Sequence, residues 1–140
     1  MEENKYSPLS AVREFHAFYY GEHSQNISDV IQRRLSLIHE EYEEVSEALL
    51  DLFITPGKVE MHSLALELAD LLYVVYGTAD ELGIPLEEVF SAVHTNNMSK
   101  VWDDGTVHYN SLGKVLKPPS YTPLSLSFEV PQNKKYLYGD

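Results

Sequence analysis

Carboxylates at helical spacing are the residues of this chain best suited to chemistry. Two pairs stand three residues apart, Glu41 with Glu44 and Glu67 with Asp70, so each pair shares one face of a helix. The second pair interrupts the otherwise apolar run LALELADLLYVVYG. Burying a bare carboxylate costs roughly several kcal/mol. These groups therefore need a cation, and a divalent metal ion is the first candidate.

The positions of the two pairs predict that they meet. Both lie at the same distance from Thr55-Pro56-Gly57, which has the residues of a turn between two antiparallel helices. In such a hairpin the four carboxylates converge at one height. Hard oxygen ligands of this kind suit Mg²⁺, with Mn²⁺ as the alternative, rather than zinc. The predicted metal ligands are Glu41, Glu44, Glu67 and Asp70.

Structural alternatives remain open for these acids. The first pair could form a solvated helix face, and the second could be neutralised by Arg13, Arg33 or Arg34. The chain would then be a non-enzymatic acidic module that docks a partner through its bundle face. A ferritin-like di-iron bundle fits less well, because it expects Glu-x-x-His and neither pair ends in histidine. His16 is expected to be a partly buried structural residue.

The acidic motifs resemble those of a known superfamily. EEYEE followed by ELAD resembles the EExxE…ExxD signature of the all-α NTP pyrophosphohydrolases, which include MazG and the dimeric dUTPases. VHTNNMSK and GKVLKPPSYTP resemble the tail of the MazG-like dUTPases, and the resemblance covers roughly residues 29 to 123. It implies hydrolysis of a nucleoside triphosphate to a monophosphate and pyrophosphate, for house-cleaning or nucleotide-pool control. It favours dUTP or a related deoxynucleotide, and a phosphoribosyl-ATP pyrophosphohydrolase is the nearest rival.

The resemblance also implies roles for residues beyond the metal ligands. Glu40, beside the first pair, could bind a further ion or take the proton from water, which makes it a fifth candidate for catalysis. Five side chains are candidates for substrate binding: Asn97 and Lys100 beside the phosphates, Lys114 and Lys117 on a loop, and Tyr73 against the base. For Asn97 the alternative is a hydrogen-bonded core amide, and for Tyr73 it is a place in the core.

Helical periodicity predicts the elements that position these residues. Four helices are expected: from Ser7-Pro8 to Gly21, from a cap at Ser28 or Asp29, from between Val59 and Ser63 to Leu82 with Gly83 as its cap, and from Ile84-Pro85 to near Trp102. The second helix carries a bundle seam with steps of four and three, formed by Ile31, Leu35, Ile38, Tyr42, Val45, Leu49 and Leu52. The predicted class is all-α: a four-to-five-helix bundle with an antiparallel metal-binding helix pair and an extended Pro-rich C-terminal segment.

The residues after the fourth helix are predicted to be irregular, because four prolines interrupt them. Asp104-Gly105 indicates a turn and the place for a short hairpin. The following segment is expected to wrap over a neighbour, anchored by Tyr121, Leu124, Leu126 and Phe128. The end, NKKYLYGD, is expected to be mobile.

Length, charge and composition narrow the possible domain organisation, partners and localisation of the protein. A chain of 140 residues is expected to form one domain, with a helical core at about 8–102 and a loop and tail at 103–140. The net charge of −12 argues against nucleic-acid or anionic-membrane partners. The absence of cysteine and an N-terminus unlike a signal peptide favour a cytoplasmic protein. The apolar seams exceed what one four-helix layer covers, so we predict a homodimer or a dimer of dimers.

Overall fold

Four α-helices and one short 3₁₀ helix make up the regular structure of the residues that the structure describes. The computed structural model describes residues 6–20 and 26–139. Its elements are α1 (Pro8–Tyr19), α2 (Ile27–Ile54), α3 (Lys58–Leu82), α4 (Leu86–Met98) and the 3₁₀ helix η1 (Gln132–Leu137). Over these ranges no strand forms and no helix is long and apolar enough to cross a membrane. The predicted all-α class is confirmed.

The chain divides into two compact units. The first unit contains Met1–Ile84 and Val130–Asp140, and the second contains Pro85–Glu129. The first unit holds α1, α2, α3 and η1, and the second holds α4 with the irregular segment that follows it. The expectation of a single domain stays a prediction.

Side-chain caps set the starts of the first two helices. Ser7 and Ser10 form a reciprocal capping box, which confirms the start of α1 at Ser7-Pro8. The predicted stop at Gly21 lies outside the described residues. The predicted cap of α2 at Ser28 or Asp29 is wrong, because the Oδ1 of Asn26 accepts the backbone N–H of Asp29 at 2.9 Å and the helix begins earlier.

A three-residue connection turns α2 back into α3. Thr55 closes α2 by donating its N–H to the carbonyl of Asp51 at 2.8 Å, and Gly57 accepts the N–H of Met61 at 3.1 Å to open α3. The helix therefore begins at Lys58, slightly earlier than predicted. It ends as predicted at Leu82, where Gly83 takes a left-handed φ of 72°. The two long helices pack along each other, so the predicted antiparallel pair is confirmed.

The packed face of α2 differs from the predicted seam. The buried residues on this helix are Val30, Arg34, Val45 and Ala48. Most of the predicted seam lies in solvent, with Ile31, Leu35, Tyr42 and Leu49 all at least 46% exposed. Val45 belongs to both sets, whereas Val30, Arg34 and Ala48 each lie one residue, or about 100° around the helix, before a residue of the predicted seam. Within the described chain α2 thus has a second, uncovered apolar face.

Helix α1 packs on α3 through an apolar and a polar contact. Leu9 and Val12 are buried, and Val12 is only 1% exposed. One turn later the Nδ1 of His16 lies 2.8 Å from Oδ2 of Asp80, whose Oδ1 lies 3.4 Å from Nε of Arg13. His16 is therefore a partly buried structural histidine, as expected.

A close approach at Gly77 brings α2 against the same part of α3. Arg34 is buried and pairs with Glu81 through Nε, and Arg33 reaches the other oxygen of the same carboxylate. A Cβ at Gly77 would lie 2.6 Å from Nη1 of Arg34 and 3.3 Å from the His16 ring. Glycine at this position therefore permits the junction of α1, α2 and α3.

The described residues of the C-terminal end contact α3, and the expectation that this end is mobile stays a prediction. Leu137 on η1 is buried, and the hydroxyl of Tyr138 donates to the carbonyl of Leu82. Pro131 and Lys134 pack close to Gly83. Leu137 and Tyr138 thus tie this part of the chain to the C-terminus of α3.

In the second unit, α4 ends sooner than the expected boundary near Trp102. Its last helical residue is Met98, because the hydroxyl of Ser99 donates to the carbonyl of Asn96 at 2.6 Å and competes with the helix ladder. The turn predicted at Asp104-Gly105 is present. The antiparallel bridge that follows, however, encloses the next turn, pairing residue 109 with residue 115.

Candidate metal centre

Three carboxylates from α2 and α3 meet in the first unit. One oxygen each from Glu41, Glu67 and Asp70 lies within 4.8 Å of the others. The hairpin register produces this meeting, since Glu41 and Asp70 are equally far from the turn. Arg34 and Gly77 are also equally far from the turn, and they are in close contact, which supports the register independently.

One oxygen of this cluster is buried without a partner. The Oε2 of Glu41 is shielded from solvent, and no hydrogen-bond donor reaches it within the described part of the chain. A buried acceptor left unpaired carries its full desolvation penalty. A cation at this point would supply the missing partner.

The pKa values of the cluster show how strongly its charges oppose one another. Burial raises the pKa of Glu41, and the charges of Glu44, Asp70 and Glu40 raise it further. Partial burial also raises the pKa of Glu67, as do a hydrogen bond and the charge from Glu44 and the charge of Asp70. Glu44 therefore lies beside both Glu41 and Glu67. Each shift is one that a bound cation would reverse.

The arginines that could have neutralised these acids are occupied elsewhere. Arg13 contacts Asp80, and Arg33 and Arg34 both contact Glu81. Among residues 6–20 and 26–139, no ion pair includes Glu41, Glu44, Glu67 or Asp70. The alternative of an arginine-neutralised pair is therefore not supported by the geometry.

The donor set fits a hard divalent ion. Carboxylate oxygens suit Mg²⁺, which usually keeps several waters and binds through a few carboxylates together with substrate phosphates. The unpartnered oxygen of Glu41 and the mutual repulsion of the acids both favour a bound cation. It stays a prediction that Glu41, Glu44, Glu67 and Asp70 are metal ligands, and the geometry of the cluster supports it.

Two other candidates lie near the cluster on the same helices. Glu40 is exposed on α2 directly before Glu41. Tyr73, one turn after Asp70 on α3, meets the ring of Phe15 edge-on at 5.6 Å and keeps 40% of its surface exposed. Burial raises the pKa of its phenol. Tyr73 thus combines a packing contact with an exposed face, and base stacking remains its predicted role.

The second unit brings three of the four remaining candidates together. The Nζ of Lys100 donates to Oδ1 of Asn97 at 2.8 Å, and Asn97 is exposed, so the alternative of a core amide is wrong. Lys100 and Lys117 both lie over the ring of Tyr121. Lys114 is in the turn after residue 109, where its backbone N–H donates to Asn110, and no side-chain partner is seen for it in the described residues.

Sequence reasoning missed some of the residues that hold these groups in place. Tyr121 was expected only as an apolar anchor, and Asn96, which its hydroxyl contacts, was not singled out. Gly77 was also missed. A glycine inside an apolar helix is a usable signal, because it costs helix stability and so indicates a close contact.

Fold and site together define an all-helical protein with a carboxylate centre suited to a divalent ion. A family model described as phosphoribosyl-ATP pyrophosphohydrolase matches residues 12–97, which is more than half of the chain. The chain therefore belongs to the phosphoribosyl-ATP pyrophosphohydrolase family. The match contains all five acidic candidates and ends before Lys100. No curated protein matches the chain significantly.

Family membership indicates a pyrophosphohydrolase that acts on a nucleotide phosphoanhydride. This agrees with the wider all-α class that the acidic motifs resemble. The closer relationship to MazG and the dimeric dUTPases stays a prediction.

Proposed function

We propose that this protein hydrolyses a nucleoside triphosphate between its α and β phosphates in a metal-dependent reaction. The products are a nucleoside monophosphate and pyrophosphate. The observation that carries this proposal is the cluster of Glu41, Glu67 and Asp70 with its unpartnered buried oxygen. The cluster lies inside the segment matched by a family of pyrophosphohydrolases.

The chain's own residues have distinct roles in this proposal. Glu41, Glu44, Glu67 and Asp70 hold the metal, which when bound supplies charge neutralisation and activation of water. Glu40, exposed beside them, is the candidate to accept the proton of the attacking water. The resemblance makes Lys100, Lys114 and Lys117 the candidates for binding phosphate oxygens of the substrate.

Two substrates are the leading candidates. The resemblance of the tail motifs favours dUTP or a related deoxynucleoside triphosphate. The family match favours phosphoribosyl-ATP, and it supports this substrate at least as well. Both carry the same phosphoanhydride, so the metal cluster serves either one and the groups that contact base and sugar decide between them.

A panel of substrates tests the proposal directly. Purified protein is incubated with phosphoribosyl-ATP, dUTP and the other common nucleoside triphosphates, with Mg²⁺, with Mn²⁺ and with EDTA, and pyrophosphate is measured. We expect release with either ion, none with EDTA, and a clear preference for one substrate. Glu67→Gln should be inactive, whereas the matched control Glu47→Gln, on the exposed side of α2, should keep wild-type activity.

The competing module hypothesis makes a different prediction. A non-enzymatic docking protein gains nothing from divalent ions, whereas a metal centre is stabilised by mass action when its ion binds. A thermal shift of the wild type with and without Mg²⁺ therefore separates the two. Equal melting temperatures, together with no hydrolysis in the panel, would favour the module.

We also propose that two copies associate through the uncovered face of α2. Leu35 is 68% exposed and Leu49 is 50% exposed on a helix whose other face is already packed. The buried apolar core of the described chain is small, since it consists of Leu9, Val12, Val30, Val45, Ala48, Ala79 and Leu137. Burial of the second face against another copy would remove this apolar surface from water.

A further inference from the structure

Two lysines converge on a single tyrosine ring in the second unit. The Nζ of Lys117 lies 5.2 Å from the centroid of Tyr121, and the Nζ of Lys100 lies 5.9 Å from it. Both distances are within the range of a cation–π interaction. Two like charges over one ring repel each other, so this arrangement favours the arrival of an anion.

In the part of the chain that the structure describes, no carboxylate forms an ion pair with either ammonium group. Arginine and histidine form all the ion pairs seen across the described residues, and no lysine takes part in any of them. Within residues 6–20 and 26–139, the one polar partner seen for either ammonium is the neutral amide oxygen of Asn97, which accepts from Lys100. The chain has a net charge of −12, so two lysines without acidic partners among the described residues form a locally positive site on an otherwise acidic protein.

Tyr121 is itself fastened to α4. Its hydroxyl donates to Oδ1 of Asn96, and Nδ2 of the same amide donates to the carbonyl of Thr122 at 3.0 Å. Its backbone N–H donates to the carbonyl of Pro118 at 2.9 Å, which closes a turn directly after Lys117. These bonds hold the segment that carries Lys117 against the helix that precedes Lys100.

We propose that Tyr121 is a positioning residue for an anion site in which Lys100 and Lys117 bind the phosphate chain of the substrate. Both ammonium groups lie over the ring of Tyr121, and the Asn96 contacts fix the ring. The identity of the ligand as a polyphosphate rests on the proposed function. Lys100, Lys117 and Tyr121 all lie beyond the matched segment 12–97, so the family match does not assign this site.

Binding of inorganic tripolyphosphate by the full chain, in EDTA and at low ionic strength, tests the proposal without hydrolysis. Calorimetry should detect binding by the wild type and about tenfold weaker binding by Tyr121→Leu, as expected from the loss of two exposed cation–π contacts. Tyr121→Phe keeps the ring and should stay within about threefold of wild type. No binding by the wild type, or equal losses in Phe and Leu variants, would overturn the proposal.

A double-mutant comparison separates positioning from a general structural effect. In a Lys100→Ala/Lys117→Ala background, Tyr121→Leu should change tripolyphosphate affinity by less than about twofold, because the groups that it positions are gone. A tenfold effect that persists in this background would contradict the proposal. Tyr109→Leu is the matched control and should bind like wild type, since this tyrosine is 60% exposed in the same unit and the cation–π contacts seen for both lysines are with Tyr121.

The two proposals fail in different ways. Tripolyphosphate binding with the predicted Tyr121 dependence, in a protein that releases no pyrophosphate from any substrate, would leave the anion site standing and refute the proposed function. Metal-dependent hydrolysis with a Michaelis constant unchanged by Tyr121→Leu would refute the anion site alone. If both hold, Tyr121→Leu should raise the Michaelis constant about tenfold while Tyr121→Phe raises it about threefold or less.

Discussion

Replacement of Gly77 by alanine tests how α1, α2 and α3 are held in register. The new methyl group would lie 2.6 Å from Nη1 of Arg34 and 3.3 Å from the His16 ring. A guanidinium at the end of a free side chain could move away. Arg34 is buried and paired with Glu81, however, and His16 is bonded to Asp80, so neither can yield without losing a contact.

The expected magnitude follows from two opposing effects. Overpacking of this kind costs about 1–3 kcal/mol, and alanine recovers about 1 kcal/mol of helix propensity relative to glycine. We expect a net loss in the free energy of unfolding of up to about 2 kcal/mol. For a chain of this size that corresponds to a fall in melting temperature of up to about 6 °C.

Thermal and urea unfolding of metal-free Gly77→Ala measure this loss, with Ala69→Gly at an exposed position of α3 as the control for propensity. In an Arg34→Met background the cost of Gly77→Ala should shrink, because the guanidinium that the methyl group meets is absent. A Gly77→Ala protein more stable than wild type would show that this junction is looser than the structure indicates.

Three further predictions concern charge and assembly. The raised pKa values of Glu41 and Glu67 favour their protonated forms in the folded state. Metal-free protein should therefore lose stability as pH rises from the ordinary carboxyl pKa through the raised pKa values, and Mg²⁺ should restore the stability. A free energy of urea unfolding that stays constant or increases over this pH range would contradict the crowded cluster. Burial alone would raise the pKa of Asp80, but the hydrogen bond and charge of His16, with the charges of Lys134 and Arg13, lower it. The stability that Asp80 contributes should be present at pH values above the ordinary aspartate pKa and be lost as pH falls through the lowered pKa of the folded state. Asp80→Asn should therefore remove this loss of stability at low pH. At neutral pH it should lower the free energy of unfolding by about 1–3 kcal/mol, as measured by urea unfolding. Sedimentation at micromolar concentration should show a homodimer or a dimer of dimers, and Leu35→Glu on the exposed face of α2 should dissociate it; a monomeric wild type would refute this assembly.

The hairpin and its acidic cluster could be predicted because local signals specify them. Thr55-Pro56-Gly57 is a strong turn signal, and acids three apart in apolar helices must lie on one face near it. Given an antiparallel pair, the symmetric positions of Glu41 and Asp70 determine that they meet. No tertiary information beyond the turn is needed for this part of the site.

The packed face of α2 could not be predicted in the same way. Its inward residues and its exposed apolar residues repeat with the same period, so periodicity finds both but does not tell which one α3 covers. The cap at Asn26 is a similar case, since Asn26, Ser28 and Asp29 are all suitable capping residues. The correct choice depends on which backbone N–H groups the folded chain leaves unpaired.

Long-range contacts account for the other differences. Docking of Leu137 on α3 depends on the path of the intervening chain, which the prolines make irregular. Convergence of Lys100 and Lys117 on Tyr121 joins α4 to a loop, and loop positions are not determined by periodicity. Sequence reasoning identified both lysines as candidates but not the ring that brings them together.

Phosphorus NMR of a single reaction mixture tests the central claim most directly. Wild-type protein with Mg²⁺ and its preferred triphosphate should convert the substrate to monophosphate and pyrophosphate, with no orthophosphate as a first product and no reaction in EDTA. Glu67→Gln should give no products, yet its metal-free form should be as stable as wild type, or more so, at neutral pH, because one repelling charge is gone. Orthophosphate as the first product would contradict the proposed bond cleavage. A Glu67→Gln protein that unfolds readily and still hydrolyses substrate would contradict the metal centre.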